Sequence, residues 1–170
     1  MFSKMHLVLL IAVAAWVGSS AVLAEEHEDK QALVKLVPAA KITLQQGLTA
    51  SEAHGQPISA KYEADEGNLE LSVYTSQAGA FSEVEVDYTT GKVAKAEPIT
   101  EGEDLAAAKA QVTAMAKAKK PLTAAVEKAE HDFAGYRAVS VTPKLQNGHS
   151  VAVVTLLKGK EFKSVPEALD

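Results

Sequence analysis

The feature that most restricts this chain is an internal repeat. Residues 42 to 75 superimpose without a gap on residues 122 to 155, with Ile42 on Leu122, Thr43 on Thr123, Gly55 on Gly135, Leu71 on Val151, Val73 on Val153 and Thr75 on Thr155. Repetition over so short a span means one supersecondary unit used twice, because a single copy has too little apolar surface to close a core. Within each copy the apolar period changes from 3.6 to 2. Thr43 and Gln46 have the spacing of a capping box, and Gly55 stands where a left-handed residue would stop the helix. In the second copy Pro121 suits a first helical turn, and Val126, Ala129 and Phe133 share one face before Gly135. Beyond each glycine a hairpin is expected. Ile58, Ala60 and Tyr62 face Leu69, Leu71 and Val73 across Asp65-Glu66-Gly67-Asn68, while Val139 and Val141 face Val151 and Val153 across Gln146-Asn147-Gly148.

The first copy runs on into Phe81-Ser82-Glu83-Val84-Glu85-Val86-Asp87-Tyr88, whose alternation puts Val84, Val86 and Tyr88 on one face. Glu83 and Glu85 then face water, as charges that keep a strand soluble and discourage edge pairing. Thr89-Thr90-Gly91-Lys92 turns the chain into Val93, whereas the second copy resumes at Phe162 and Val165 and reaches Asp170 without such a turn. Between the copies, residues 103 to 118 read as an alanine-rich helix with Leu105, Ala108, Val112 and Met115 on one stripe. Glu101, Glu103 and Asp104 at its start, and Lys117, Lys119 and Lys120 at its end, complement the helix dipole.

Cysteine is absent, so the fold rests on apolar burial without disulfides, and zinc ribbons and thiol chemistry are excluded. At the start of the chain, Lys4 precedes residues 7 to 17, which are apolar throughout, and Val22-Leu23-Ala24 places small side chains where a signal peptidase accepts them. Residues 1–24 are therefore expected to be a cleaved signal peptide, since the run is too short to anchor in a bilayer. The mature chain would be periplasmic or secreted, with no stable membrane insertion after cleavage. Cleavage leaves 170 − 24 = 146 residues and removes Lys4 with no acid, so the net charge moves from −5 to −6. That balance argues against nucleic acid as a partner. The only tryptophan, Trp16, leaves with the signal, and Arg137 is the only arginine, so the usual interface anchors are scarce.

Helix, glycine, hairpin and the ending Val86-Asp87-Tyr88-Thr89-Thr90-Gly91-Lys92-Val93 together resemble the PepSY domain family. The likeness covers residues 40–98, and residues 121–170 form a degenerate second copy that lacks the Asp and the Thr-Gly-Lys. The resemblance implies a helix packed on a small antiparallel sheet; with the repeat, the expectation is an α+β fold of two such copies, preceded by an acidic segment 25–39 and joined by a linking helix within 99–120. It implies no catalytic residue and no cofactor. It does imply a role among exported proteins that restrain peptidases, so the expected partner is an envelope or secreted peptidase or another exported protein. Asp87 and Gly91 match the family ending, and their chemistry is that of turn formers.

No phosphate-cradling glycine cluster, serine elbow or histidine-glutamate zinc helix occurs. His54, His131 and His149 match no histidine in the other copy and read as ordinary solvated side chains. Two readings from different classes follow. One is a non-catalytic binding module that engages its partner through strand backbone, since β-addition needs no special side chains. The other is Cu(II) or Ni(II) handling at the mature terminus Glu25-Glu26-His27, where the α-amine, two backbone amides and the His27 ring would make a planar four-nitrogen set.

Overall fold

The strands on either side of two tight turns are each ten residues long, and each turn is two residues of left-handed backbone, Glu66-Gly67 in one case and Asn147-Gly148 in the other. Such turns match the twist of the strands that they join and fix which residues pair. A computed structural model describes residues 29–170. The expected signal peptide and the run Glu25-Glu26-His27-Glu28 lie outside the described residues. Strands β1 (Gln56–Asp65), β2 (Asn68–Gln77), β3 (Ala80–Val86) and β4 (Val93–Pro98) form one meander, and β5 (Arg137–Gln146), β6 (His149–Lys158) and β7 (Glu161–Ala168) form another. Both belong to a single seven-stranded antiparallel sheet of order β4-β3-β2-β1-β5-β6-β7. Two separate sheets were the expectation. One sheet forms because β1 and β5 would otherwise each leave an unpaired edge in the middle of the molecule.

The junction is short, with only Ala60↔Val141 and Lys61↔Ser140 paired across it. Its length follows from the strands themselves. The two-residue turns make bonded pairs alternate, so Ala60 and Val141 turn their peptide groups toward each other. The next such positions are Ile58 opposite Pro143 and Tyr62 opposite Val139. Ile58 and Val139 lie at the register shifts of their own hairpins, and Pro143 has no N–H to offer.

Residues 29–36 are helical (α1), followed by α2 (Leu44–Ser51), α3 (Gly102–Met115) and α4 (Leu122–Asp132). Helix α2 begins with the expected capping box, Thr43 and Gln46 bonding reciprocally. It lies on one face of the sheet with Gly47 against Leu71, and α4 lies beside it, joined by a 2.7 Å bond from Gln45 to Glu130. The main core sits between these helices and the sheet, where Leu44, Leu48, Leu71, Val73, Val126, Val141 and Val154 are almost fully buried. Helix α3 covers the other face. Ser59 and Tyr74 are cross-strand partners and therefore share a face, and they bond Gln111 at 2.9 Å and Asp104 at 2.7 Å.

Three local expectations change. Helix α3 ends at Met115 rather than 118, so the lysines that were to complement its dipole lie beyond it. Instead, Lys117 donates to the Gly148 carbonyl at 3.1 Å and Lys120 to that of Ala168 at 3.3 Å. Its buried stripe is Ala108, Gln111, Ala114 and Met115, with Leu105 and Val112 only half-buried. Helix α2 stops at Ser51 and passes through a 3-10 turn, Glu52–His54. Gly55 then stands at φ 134° and ψ 179°, a positive-φ conformation that favours glycine but is not the αL geometry of a helix cap, and a Cβ there would lie 2.8 Å from the Ser76 carbonyl oxygen.

The gap-free correspondence between the halves is also corrected. By their bulges and turns, Ile58 corresponds to Val139, Leu71 to Ala152, Val73 to Val154 and Phe81 to Phe162, one residue later than the gap-free match. Since side chains alternate, that slip changes faces. Ala152, Val154 and Leu156 are therefore the buried set, while Val151 and Val153 are half-exposed on the other side. The helices correspond two residues earlier than the gap-free match, with buried Leu44, Gly47, Leu48 and Ser51 answering to Leu122, Ala125, Val126 and Ala129. The difference is taken up by helix length, eight residues against eleven. One contact recurs in both halves. The carbonyl of Tyr88, beyond β3, accepts from Lys41 and Ile42 just before α2, and that of Leu169, beyond β7, accepts from Lys119 and Lys120 just before α4.

Candidate functional site

A sheet that does not close leaves two edges, and these are β4 and β7. Strand β4 is six residues long and nearly all exposed; it carries a 2.7 Å Lys95–Glu97 ion pair and ends at Pro98. Charge, shortness and proline are devices that discourage a further strand. Strand β7 stands differently. It corresponds to β3, and β3 turns the peptide groups of Phe81, Glu83 and Glu85 toward β4: Glu83 pairs with Glu97, Glu85 with Lys95, and the Phe81 carbonyl accepts from Ile99 at 2.9 Å. The matching groups of β7 belong to Phe162, Ser164 and Pro166. Among the described residues no strand lies beside them. Phe162 and Ser164 each offer an N–H and a C=O, whereas Pro166 offers a C=O alone.

Around the start of this edge the side chains are aromatic and basic. Lys163 stands over Phe133 and Tyr136, 4.6 and 5.2 Å from the ring centroids, and Lys158 stands 5.4 Å over Tyr136. Phe133 and Tyr136 meet edge to face at 6.3 Å. Such contacts hold ammonium groups at fixed places while leaving their outer sides in water. Glu161 is the carboxylate among them, and its hydrogen bond raises the Tyr136 phenol above its ordinary pKa. Between Phe162 and α1 lies a depression of about 500 Å3, lined also by Val34, Lys35 and Lys160.

The opposite half bears the opposite sign. On the α3 side of β1–β4, Glu63, Glu83, Glu85, Glu97 and Asp104 gather with Lys61 and Lys95 around a depression of about 310 Å3. Glu83 is half-buried and accepts from Ser72, so it does more than face water. Tyr74 is held neutral here. Burial first, and then its bond to Asp104, push its phenol far above the ordinary value, which makes it a fixed donor and not a proton relay at neutral pH.

The Asp87 turn has the chemistry expected of it. Asp87 Oδ1 accepts from the backbone of Thr89 at 2.9 Å and Thr90 at 2.7 Å, Gly91 closes the turn at φ 73°, and those two bonds hold the Asp87 carboxyl below its usual pKa. The histidines stand on separate elements. His54 ends the 3-10 turn, His131 lies exposed on α4 beside Asp132, and His149 opens β6 with Nδ1 2.6 Å from Asp170. Among the described residues no three metal-binding side chains come together, and no helix is long and apolar enough to cross a membrane. Glu25, Glu26 and His27 lie outside the described residues.

Sequence reading missed Arg137. Its guanidinium reaches across the junction to the carbonyls of Ala40, at 2.9 Å, and Ile42, and stands 5.4 Å over the Tyr62 ring. A lone arginine at the start of a strand was the available signal. The lysines at 158, 160 and 163 were also visible, but only the paired strands show that they surround an open edge. The chain matches no family model, no curated protein and no solved structure.

Proposed function

We propose that this protein is an exported, non-catalytic binding module of the PepSY type, and that it restrains a peptidase of the cell envelope by adding the partner's extended segment to β7. On this reading residues 40–98 and 121–170 are two copies of one unit, and among the described residues only the first has a strand in the place of β4. The observation that carries the reading is the edge of β7, which has no strand beside it among the described residues at the place where β3 is covered by β4. Main-chain bonds along such an edge supply affinity without tryptophan or arginine anchors. The recurring clamp at Tyr88 and Leu169 supports common descent of the halves, because it joins the same elements in the same order. The signal-like start of the chain supports export.

The test is retention and inhibition. Tagged protein spanning residues 25–170 is expected to retain a peptidase from envelope extract and to slow it. Ser164→Pro, which removes an outward N–H while leaving the β6–β7 bonds intact, is expected to do neither. If the unaltered protein retains and slows no peptidase, the proposal fails.

A further inference from the structure

The edge of β7 has a chemical preference that follows from what stands beside it, and this step rests on the β-addition reading above. A segment laid along Phe162 and Ser164 runs between Lys163 on one face of the sheet and Lys35 and Lys160 at the depression on the other. Lys158 stands at the adjoining turn, and Glu161 is the only carboxylate in the group described above. This basic edge belongs to a chain whose net charge is −5. Lysines gathered at one edge of an acidic molecule attract acidic segments there and turn basic ones away. Phe162 and Val34 add an apolar wall to the depression, so a side chain entering it is apolar while its neighbours are charged. We infer that the occupant of β7 is an extended acidic peptide segment, alternating carboxylate and apolar side chains, paired antiparallel to β7 as β4 is to β3.

Two labelled ten-residue peptides test this, one alternating valine with glutamate and one alternating valine with lysine, titrated against protein spanning residues 25–170 by fluorescence anisotropy. The glutamate peptide is expected to bind on the order of tenfold tighter at low ionic strength, with the gap narrowing as salt is added. Lys35→Glu with Lys160→Glu is expected to erase or reverse the preference, as both side chains are exposed and neither is in the core. Slowed amide exchange at Phe162 and Ser164 on adding the glutamate peptide locates the site without any substitution. Equal binding of the two peptides, abolished in both cases by Ser164→Pro, would overturn the charge preference and leave the β7 edge standing. Binding indifferent to Ser164→Pro, with no slowed exchange on β7, would overturn both. Absence of binding by either peptide would overturn the inference.

Discussion

The first half of the sheet and the second solve the same packing problem with different residues. Where α2 crosses β2, Gly47 meets Leu71; at the corresponding place in the second half, Ala125 on α4 answers to Ala152 on β6. A glycine with a leucine has been exchanged for two alanines, so the helix residue has gained one carbon while the strand residue has lost three. The difference teaches that the bulk at this crossing is carried by the strand in the first half and is shared evenly, and reduced, in the second. The edges differ in another way. The first half finishes with the Asp87 turn and β4, while Ala168 stands at the place of Asp87 and, among the described residues, no strand pairs with the outer side of β7.

The strongest way to break the comparison is to cut it. A fragment of residues 119–170 keeps α4, three strands and the Leu169 clamp, but loses the junction with β1, the bond from Ser150 to the Ala114 carbonyl at 2.9 Å and the arginine contacts. Roughly 50 residues without a disulfide are marginal. The fragment is expected to show no cooperative thermal transition, and one resembling that of the full protein would mean that the second half needs no support.

Next in size is the packing pair. Leu71→Ala should cost about 2–5 kcal/mol as a cavity. A Cβ at Gly47 would sit 2.6 Å from Leu71 Cδ2, so Gly47→Ala should cost about 1–3 kcal/mol by overpacking, offset in part by about 1 kcal/mol of helix propensity. Together they recreate the arrangement of the second half. The double variant should therefore be more stable than the sum of the singles implies, by roughly 1 kcal/mol or more in a urea-melt cycle. Strict additivity would show that the two residues do not share a volume.

Arg137 sharpens the comparison at the junction, because its counterpart in β1 is the exposed Gln56. Arg137→Met should destabilise by about 2–4 kcal/mol, since hydrogen bonds from a charged donor contribute about 1.5–3 kcal/mol each; the Ala40 carbonyl would lose its arginine donor, while that of Ile42 would keep only the Tyr62 hydroxyl. Gln56→Met should stay within about 0.5 kcal/mol, as surface changes do. Equal effects in chemical denaturation would remove the asymmetry.

The smallest effect concerns acid. Asp87 titrates below its ordinary 3.8 because Thr90 and Thr89 bond its carboxylate. A lowered folded pKa means that the associated stability is complete above about 4 and is lost as pH falls through the folded value. Asp87→Ala makes the first half like the second at this turn. Its melting temperature should lie below that of the unaltered protein at pH 7, and the gap should close as pH drops below 3.8. A gap that widens in acid would contradict the assigned bonds.

Much of this was legible in the sequence because it is local. The capping box, the tight turns, the Asp87 turn and the alternation of β1–β3 depend on residues within a few positions of each other. What was not legible depends on distant partners. A gap-free match put Val151 and Val153 inside, because nothing near them reveals that α4 runs one turn longer than α2 before its hairpin begins. The stripe expected on α3 passed through Val112, whereas the buried residue there is Gln111, which accepts from Ser59 on the sheet. That the halves share one sheet rests on two residue pairs whose members lie farther apart along the chain than a whole unit is long, and no local pattern specifies such a pairing.

The short junction has a kinetic meaning as well. Five of the six strand pairings join neighbours along the chain, and only β1 with β5 spans a long loop. The strand pairings within each meander are therefore between chain neighbours, which favours formation of each meander by itself. Loop-closure entropy falls almost wholly on the meeting of Ala60 with Val141. The central peptide groups of the native protein should therefore be among the last to become protected during refolding, after the outer hairpins have formed around them.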